Sequence, residues 1–399
     1  MNKLIIFTKL FPYGKTEAFL ESEIEVLSKH FNKIVVCPAY TDKFLRKLPG
    51  NVIIDSTYTI DKKKRVKSSI KSFITGKLFM YVLDHMRNLK SINDITYLLR
   101  YSSYEIYYED VYKKSNFNFN DCVVYSYWFS YIVNSFVKLR SKYNLKCKIV
   151  TRAHRWDIYE EKSSIFPYRQ QIIDGLDAIY SISGDGKEYL EKRYGNNSKI
   201  FVSRLGIFDQ GLINQPSKTG EIHFISVSQI TARKRVVLIY DALNAYAEEN
   251  NSLKIKWTHF GTGDLLSTLE GKIRNNSNSN FEIVLKGYVL NSDIYNFYQS
   301  ENIDLFINVS ESEGVPVSIM EAQSFGIPVI ATNVGGTSEI VNNEVGELLS
   351  ANPGVKDICK AIDRLYHNQI DREVIKLKWQ EKSDAQENYN KFAELLFSL

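Results

Sequence analysis

Short apolar runs alternate with longer amphipathic segments along most of the chain. The first half contains the runs "KLIIFTK", "KIVVC", "CVVYSY", "CKIVTRAH", "AIYSIS" and "KIFVSR". Each run has the length of a buried strand, and the segments between the runs are long enough for crossover helices. Strands that are apolar on both faces are typical of a parallel sheet covered by helices on both sides. The pattern therefore predicts an α/β domain.

The same alternation returns after a turn-rich segment. Residues 206–221, "GIFDQGLINQPSKTGE", are weakly periodic and predict an interdomain linker. The runs "IHFISVS", "KIKWTHFG", "FEIVLKG", "IDLFINVS" and "IPVIAT" then predict a second open α/β sheet, and residues 353–399 are helical and charged. Two such domains in tandem form a cleft between the carboxyl ends of their strands, where open parallel sheets bind ligands.

Charge is concentrated in one part of the chain. The 51 Lys and Arg exceed the 46 Asp and Glu by only five, but residues 61–90 hold nine Lys and Arg against two Asp. The aromatic-rich segment "YLLRYSSYEIYYEDVY" follows. This region predicts either a solvated helical pair with aromatic packing or a peripheral surface for anionic lipid. Nucleic acid is not expected as a partner, since the whole chain is barely basic and has no nucleic-acid motif.

Cysteine usage and hydropathy indicate the compartment. The four cysteines lie far apart without a CxxC pair, which predicts reduced thiols in a cytosolic protein. The apolar stretch at the N-terminus is too short for a signal peptide, and no 18 consecutive residues are apolar. We therefore expect a cytoplasmic protein without a membrane span.

The segment 303–340 carries the most chemistry, "IDLFINVSESEGVPVSIMEAQSFGIPVIATNVGGTSEIV". A buried strand ends near residue 310, and a helix begins at a proline, which suits the first turn. Backbone amides at this helix start predict a site for a diphosphate. The predicted anion site consists of Gly314, Val315, Pro316, Val317 and Ser318.

Two glutamates flank this site. Glu321, inside the helix, would accept hydrogen bonds from ribose hydroxyls, and Glu313, before it, would lie over the group beyond the phosphates. The alternative makes Glu313 a helix-capping acid and Glu321 a surface residue. Spacing alone leaves both interpretations open.

This stretch resembles the signature of glycosyltransferase family four, the retaining group with the GT-B fold. The resemblance lies in Glu313, seven residues, Glu321, then "GIPVIAT" and "GGTSE", and further family segments follow in order over nearly the whole chain. It implies two Rossmann-like doubly wound domains that face each other across a cleft. The implied regions are an acceptor-binding domain over 1–210, a nucleotide-sugar domain over 211–375 and a C-terminal helix over 376–399 that returns to the first domain.

Other segments resemble the family's donor-binding loops. "FPYGKTEAF", with Gly14, is similar to the loop that approaches the diphosphate, although a simple turn is the alternative. In "VSQITARKRVVLIYDAL", Lys234 matches the phosphate-clamping lysine, while Gln229 stands where the family usually has arginine. Either Arg233 or Arg235 would then supply the missing charge, or phosphate binding would rely on Lys234 and the helix amides.

Two glycine-containing turns and one histidine extend the resemblance. "HFGTGD", with Gly261, is similar to the family's glycine turn, and "KGYV", with Gly287, Tyr288 and Val289, to the segment whose backbone meets the base. His154 in "VTRAHRWDIYEE" matches the histidine that faces the donor sugar, and a structural histidine is the alternative.

The acceptor side is predicted from the aromatic run "YSYW". Tyr127 and Trp128 follow a first-half strand and offer rings and a hydroxyl to a sugar, with core packing as an equal alternative. The chain has no Asp-x-Asp, no HExxH, no clustered Cys/His and no P-loop. We therefore expect metal-independent transfer with no cofactor beyond the nucleoside diphosphate sugar, which is the donor substrate.

The resemblance implies retaining transfer of a sugar from a nucleoside diphosphate sugar to a hydroxyl. Lys234 would stabilise charge on the leaving diphosphate, while Glu313 and His154 would position the donor sugar. The implied acceptor is a polyprenyl-diphosphate-linked glycan of a bacterial polysaccharide, O-antigen or capsule, at the cytoplasmic membrane face. Alternatives are a sugar-nucleotide epimerase and a non-catalytic nucleotide-binding partner of another transferase.

Overall fold

The computed structural model describes residues 3–14, 16–17, 19–43, 45–160, 165–195 and 198–399. The chain forms two compact units, which we call unit 1 (Met1–Leu205 with Gln386–Leu399) and unit 2 (Gly206–Ala385). Each unit contains a parallel sheet with helices on both faces. The predicted α/β class with two open sheets is confirmed.

The described part of unit 1 contains seven parallel strands, in the order β3-β2-β1-β4-β5-β6-β7. These strands are β1 (Lys3–Thr8), β2 (Lys33–Pro38), β3 (Val52–Ile54), β4 (Val123–Ser126), β5 (Lys148–Ala153), β6 (Ala178–Ser181) and β7 (Ile200–Val202). The helices are α1 (Phe19–Leu27), α2 (Lys62–Ile74), α3 (Lys77–His85), α4 (Ile92–Lys114), α5 (Tyr131–Tyr143), α6 (Arg155–Ile158), α7 (Arg169–Asp174) and α8 (Gly184–Tyr194).

Unit 2 has six parallel strands among the described residues, in the order β10-β9-β8-β11-β12-β13. They are β8 (Glu221–Val227), β9 (Lys254–Phe260), β10 (Phe281–Gly287), β11 (Leu305–Asn308), β12 (Val329–Thr332) and β13 (Gly346–Leu349). Its helices are α9 (Val236–Glu249), α10 (Leu266–Arg274), α11 (Asn291–Ser300), α12 (Val317–Ser324), α13 (Val355–His367) and α14 (Arg372–Ser383), and the chain ends with α15 (Ala385–Phe397).

The apolar runs form strands because both of their faces are covered. In β1, Leu4 and Ile6 enter one core cluster while Ile5 and Phe7 enter a second cluster on the other face. Successive side chains of a strand point to opposite faces, so a strand between two helical layers needs apolar residues throughout. Unit 2 has the same two-sided core.

The boundary between the units lies at the start of the predicted interdomain linker over 206–221, and the segment itself belongs to unit 2. The segment packs on unit 2, where the Asn214 side chain donates to the carbonyls of Tyr298 and Glu301 at 2.7 and 2.6 Å. The Asn214 backbone amide also donates to the Phe325 carbonyl at 2.9 Å. The weak periodicity of residues 206–221 reflects an irregular backbone whose polar groups form hydrogen bonds within unit 2.

The division of the C-terminal segment also differs from the predicted boundary after residue 375. α14 stays with unit 2, because Trp379 is buried in the same core cluster as the residues of α12. α15 packs on unit 1, where Phe392, Ala393 and Leu396 join the cluster that covers β1. The change of unit therefore falls between the two helices, near Ala385.

A fully buried ion pair lies beneath α15. Arg152, on β5, and Glu23, on α1, approach to 3.0 Å between Nη2 and Oε2, and both side chains are inaccessible to solvent. Tyr125 donates to Glu23 at 2.7 Å, and the Arg152 guanidinium lies 4.4 Å from the ring centre of Phe392. Burial raises the pKa of Glu23 despite this partner. The pair joins a strand and two helices of unit 1.

Among the described residues, no helix is both long enough and apolar enough to cross a membrane.

We predict that Arg152→Met lowers the free energy of unfolding by about 3–5 kcal/mol, because Glu23 is left as an unpaired buried carboxylate. Urea unfolding of the purified chain would measure the change. Adding Glu23→Gln should recover part of the loss. Lys254→Met, which removes the exposed ion pair with Glu221, should change stability by less than about 1 kcal/mol. A loss for Arg152→Met as small as that of Lys254→Met would contradict the prediction.

Candidate active site

The candidate site of unit 2 lies where the strand order reverses. β8 pairs with β11 in parallel, with Leu305 opposite Phe224 and Phe306 opposite Ile225. From this pair the sheet continues through β9 on one side and β12 on the other. The carboxyl ends of the two strands therefore release diverging loops, and this point of an open sheet is where ligands bind.

An ion pair joins these two loops. Lys234 ends the 3-10 turn Ala232–Lys234 after β8, and its Nζ donates to Oε1 of Glu313 at 2.5 Å. Asn308, the last residue of β11, also reaches Oε1 through its Nδ2 at 3.4 Å. The structure thus brings together Lys234 and Glu313, which the sequence analysis had assigned to the same nucleoside diphosphate sugar. Glu313 does not cap α12, whose N-terminus shows no side-chain cap.

Gly335 fixes the position of the Glu313 loop. It has φ +53°, and a Cβ at this position would lie 2.1 Å from the Glu313 carbonyl oxygen. The next residue, Gly336, donates its amide to the Gly314 carbonyl at 2.7 Å. The "GGTSE" turn therefore approaches the loop as closely as only glycine permits.

Backbone amides collect at the start of α12. Pro316 precedes the helix, and its carbonyl accepts from the amides of Ile319 and Met320 at 3.1 and 3.4 Å. The backbone N–H groups of Gly314, Val315, Val317 and Ser318 donate to no acceptor among the described residues. Pro316 itself has no N–H, so the five-residue segment supplies four donors. Such a helix start carries partial positive charge and suits an anion.

The two candidate replacement arginines differ in where they point. Arg233 donates from Nη1 to the Ser312 carbonyl at 3.4 Å, and its own carbonyl accepts from the Glu311 amide at 2.8 Å. Arg235 instead donates to the Ala351 carbonyl at 2.8 Å. The structure therefore places Arg233, and not Arg235, beside the Glu313 loop. Gln229 is an exposed loop residue.

Glu321 is a buried residue, which excludes the surface alternative. Its Oε1 accepts from Asn291 Nδ2 at 2.9 Å and from the Tyr295 hydroxyl at 3.3 Å, both on α11. Its Oε2 takes no hydrogen bond from the described residues. Burial raises the pKa of Glu321 to about 7. Sequence reasoning missed Asn291 and Tyr295, although polar residues four apart on one helix face were visible.

The glycine turn after β9 packs against the loop after β8. Gly261 has φ +145°, and a Cβ there would lie 1.8 Å from the Ser228 carbonyl oxygen. Its amide donates to the Gly287 carbonyl at 2.8 Å, so Gly261 connects the predicted clamp loop with the "KGYV" segment. Tyr288 is exposed at this edge, while Val289 packs against the core.

His154 of unit 1 follows β5 and contacts two aromatic rings. The ring centres of Tyr127 and Trp128 each lie 4.7 Å from that of His154. Burial, together with the nearby Arg152 charge, lowers the pKa of His154 to about 3. Its Nε2 is buried and has no partner in the described part of the chain. His154 is therefore a neutral imidazole with an unused ring nitrogen.

For Tyr127 the structure corrects the acceptor prediction. The side chain is 1% exposed and belongs to the core cluster of Leu4 and Phe392, so a sugar has no face of the ring to stack on. Trp128 is only half-buried, and its Nε1 donates to Glu17 Oε1 at 2.6 Å. Packing explains Tyr127, while Trp128 stays a predicted acceptor contact.

Glu17 organises the loop after β1, a role that sequence reasoning missed. Its carboxylate accepts from the backbone amides of Lys9, Leu10 and Phe11 at 2.7–2.9 Å. Gly14, in the same loop, has φ +66°. Lys15 and Ala18 of the predicted "FPYGKTEAF" loop lie outside the described residues. The cleft between the two domains, with one donor shared by His154 and Lys234, stays a prediction.

Within the described ranges, no three His, Cys, Asp or Glu side chains are grouped so that they could hold a metal ion. Metal-independent transfer stays a prediction.

Comparison with known proteins finds a family match within unit 2. Residues 212–382 match the family model described as glycosyl transferases group 1. No curated protein sequence matches the chain.

Solved structures share the fold of the whole chain. The lipopolysaccharide outer core galactosyltransferase WaaB in its apo form is 16% identical, with a TM-score of 0.71 over 100% of this chain and 99% of that one. Sucrose-phosphate synthase from Thermosynechococcus elongatus is 12% identical, with a TM-score of 0.68 and coverages of 100% and 99%. HepE from Anabaena in complex with UDP is 14% identical, with a TM-score of 0.65 and complete coverage of both chains. The predicted GT-B fold is confirmed.

We predict that Glu321→Gln flattens the pH dependence of stability. Burial raises the pKa of Glu321 from 4.5 to about 7, so its contribution is complete below pH about 4.5 and is lost as pH rises through about 7. The wild type should therefore lose about 3 kcal/mol relative to the variant across this range. Urea unfolding between pH about 4 and about 8 measures this difference. The exposed Glu282→Gln is the matched control and should follow the wild type. Equal pH slopes for all three proteins would contradict the prediction.

Proposed function

We propose that this chain, a GT-B glycosyltransferase with a group 1 domain over residues 212–382, transfers a sugar from a nucleoside diphosphate sugar to a hydroxyl of a lipid-linked glycan, with retention of anomeric configuration. One observation carries the proposal. The Lys234–Glu313 ion pair lies in the same loops as the four unpaired amides at the start of α12. A cation, a carboxylate and an amide cluster at one sheet edge suit a diphosphate with a sugar attached to it.

Lys234 and the amides of α12 act on the leaving group. Negative charge grows on the diphosphate as the bond to the sugar breaks, and donors already aimed at that position lower the barrier. The Lys234 ammonium has three N–H donors, of which one is used by Glu313. The others bind diphosphate oxygens, so the lysine serves both groups. Arg233, held beside the same loop, supplies the second positive charge in place of the usual arginine.

The two glutamates hold opposite ends of the donor. Glu313, oriented by Lys234 and Asn308, accepts a hydrogen bond from a hydroxyl of the donor sugar. Glu321 uses Oε1 for Asn291 and Tyr295, which leaves Oε2 for the ribose hydroxyls. Bound ribose hydroxyls favour the ionised carboxylate, so they lower the raised pKa of Glu321. His154 is assigned to the donor sugar by the family resemblance, and its neutral imidazole adds no charge there.

The reaction is a substitution at the anomeric carbon on one face of the sugar. The bond from this carbon to the phosphate oxygen breaks, and a bond to the acceptor oxygen forms. The departing phosphate oxygen takes the proton of the acceptor hydroxyl, so the products are the glycoside and a nucleoside diphosphate. Glu313 and His154 position the sugar for this step and do not become attached to it.

The acceptor is proposed to be a polyprenyl-diphosphate-linked glycan in bacterial surface polysaccharide biosynthesis, at the cytoplasmic face of the membrane. A structural neighbour described as a lipopolysaccharide outer core galactosyltransferase supports a bacterial surface glycan as the acceptor, while the polyprenyl-diphosphate linkage rests on the family resemblance. Trp128 is the aromatic contact proposed for the acceptor glycan. HepE is described in complexes with UDP and UDP-glucose, so UDP-sugars are the first donors to test.

We predict that sugars linked to one nucleoside diphosphate, either UDP or GDP, raise the melting temperature of the protein. The increase should grow with the logarithm of the ligand concentration. A ligand that binds only the folded state adds about 2.7 kcal/mol at 100 times its Kd. A thermal-shift screen of UDP- and GDP-sugars measures this effect. Lys234→Ala should abolish the shift, and Lys356→Ala, an exposed lysine on α13, should retain it. No shift with any donor would contradict donor binding.

We also predict that Lys234→Ala and Glu313→Ala each lower turnover by about 10²- to 10³-fold, because each removes a group that interacts with the reacting donor. Release of the nucleoside diphosphate in the presence of acceptor measures the rate. Lys356→Ala and Glu282→Ala are the matched controls, and circular dichroism checks folding. Near wild-type turnover in both site variants would exclude this site.

An isomerised sugar nucleotide formed without acceptor would indicate an epimerase. Donor binding without sugar transfer would indicate a non-catalytic partner of another transferase.

A further inference from the structure

The helix α2 has its polar and apolar faces reversed relative to an ordinary surface helix. It packs on α4 through serines, with Ser68 and Ser72 buried and Ser72 Oγ donating to Ser102 Oγ at 2.7 Å. The opposite face is apolar and exposed, and its residues recur at helical spacing as Val66, Ile70, Phe73 and Ile74. A surface helix of a soluble domain normally buries its apolar stripe. Here the stripe faces outward.

The next helix continues the exposed apolar surface. α3 fully buries only Tyr81, while Phe79 and Met80 are 64% and 61% exposed. It follows α2 after the two residues Thr75 and Gly76, so Phe73 and Ile74, both 76% exposed, lie on the adjoining turn. Ten of the 21 large apolar side chains exposed in the described residues lie between 66 and 95. They are Val66, Ile70, Phe73, Ile74, Phe79, Met80, Leu83, Met86, Ile92 and Ile95. The first seven, Val66 to Leu83, lie on α2 and α3, and we call these seven the α2–α3 surface.

Exposed basic side chains lie in the same segment of the chain as this apolar surface. Residues 61–90 contain nine Lys and Arg and two Asp, although the whole chain has a net charge of only +5. Lys71 and Lys77 are paired with Asp110 and Glu105. The remaining exposed cations form no ion pair with any described residue, and include Lys62, Lys63, Arg65, Lys67, Arg87 and Lys90. Their charge is available to a partner.

We propose that the α2–α3 surface inserts its apolar side chains into a lipid bilayer that contains anionic headgroups. Interfacial helices of this kind bury their apolar face at the boundary between headgroups and acyl chains. Basic residues within a Debye length of such a membrane are attracted by its negative surface potential. The exposed apolar stripe and the unpaired cations match these two requirements.

Charge argues against a second copy of the chain as the occupant. A two-fold dimer would place the same surface patch of both copies face to face. The unpaired cations of residues 61–90 would then oppose their own counterparts, and like charges disfavour association. An anionic bilayer instead neutralises them. The aromatic residues of α4 do not compete for this role, since Tyr101, Tyr104 and Tyr108 are buried in the core.

The inference deepens the proposed function, because it rests on that function for its biological role of bringing unit 1 to a lipid-linked acceptor. Membrane binding itself needs neither donor nor acceptor. Vesicle binding is therefore measured without either substrate, and its failure would leave sugar transfer untouched. Failed transfer by a protein that binds vesicles would leave the membrane surface intact.

The first experiment is co-sedimentation of the full chain with vesicles. We expect binding to vesicles of equal parts phosphatidylcholine and phosphatidylglycerol at low salt, and little binding to phosphatidylcholine alone. The variant Lys62→Gln/Lys63→Gln/Arg65→Gln/Lys67→Gln should bind about 10²- to 10³-fold more weakly, from about five-fold per charge. The matched control Lys356→Gln/Lys360→Gln, exposed on α13, should bind like the wild type.

The second experiment separates insertion from simple adsorption. In Phe73→Trp, tryptophan emission should shift to the blue with anionic vesicles and be quenched by brominated lipid, whereas Leu377→Trp on the exposed face of α14 should show neither change. The variant Phe73→Ser/Ile74→Ser/Phe79→Ser/Met80→Ser should lose the binding that remains at high salt. These side chains are exposed, so folding should be unchanged by circular dichroism.

Four results would overturn the proposal. The wild type could stay in the supernatant with anionic vesicles at low salt. The serine variant could bind as tightly as the wild type, or the Phe73→Trp probe could bind without quenching. Finally, sedimentation velocity could show a wild-type dimer that the serine variant dissociates, which would assign the surface to a second copy of the chain.

Discussion

In unit 2, β8 and β11 pair in parallel and end at the same edge of the sheet, and the meeting of Lys234 with Glu313 in the candidate donor site depends on that pairing. Parallel strands carry all of their following loops to one side, and the reversal of strand order separates the loops so that a ligand fits between them. Lys234 and Glu313 are 79 positions apart in the chain, yet their charged atoms lie 2.5 Å apart. Glycines at 261 and 335 let the neighbouring loops approach this edge closely.

The Lys234–Glu313 ion pair also explains how two opposite charges stay ionised and oriented at a partly buried site. Burying either charge without the other would be costly, because desolvation would not be offset by a partner. Together, Lys234 and Glu313 stay oriented at low exposure before a ligand arrives. The four unpaired amides of α12 then add partial positive charge without a further mobile side chain. Preorganised donors of this kind need little rearrangement when charge develops.

Burial sets the protonation of the other candidate residues. It lowers the pKa of His154 to about 3 and raises that of Glu321 to about 7, so both groups are biased towards their neutral forms. On α2 of unit 1 the usual distribution of side chains is reversed, because serines are buried and a phenylalanine is exposed. Such a surface costs free energy in water, which is consistent with a partner that removes it from water.

The sequence by itself determined the fold class and the main strands, because buried parallel strands must be apolar on both faces. It also determined which loops carry chemistry, since the spacing of Glu313 and Glu321 and the glycine turns are local properties of the chain. The resemblance to a known family rested on these same local patterns.

Tertiary structure alone decided which side chains meet and which faces are covered. Asn291 and Tyr295 hold Glu321 from another helix, and Arg233 reaches the Glu313 loop while Arg235 does not. Tyr127 is buried although its sequence position allowed an exposed ring, and residues 206–221 pack on unit 2 although their composition is that of a linker. Periodicity predicts the type of element and the face on which a residue lies. Whether that face is buried depends on neighbours that are distant in sequence and are brought close only by the folded sheet.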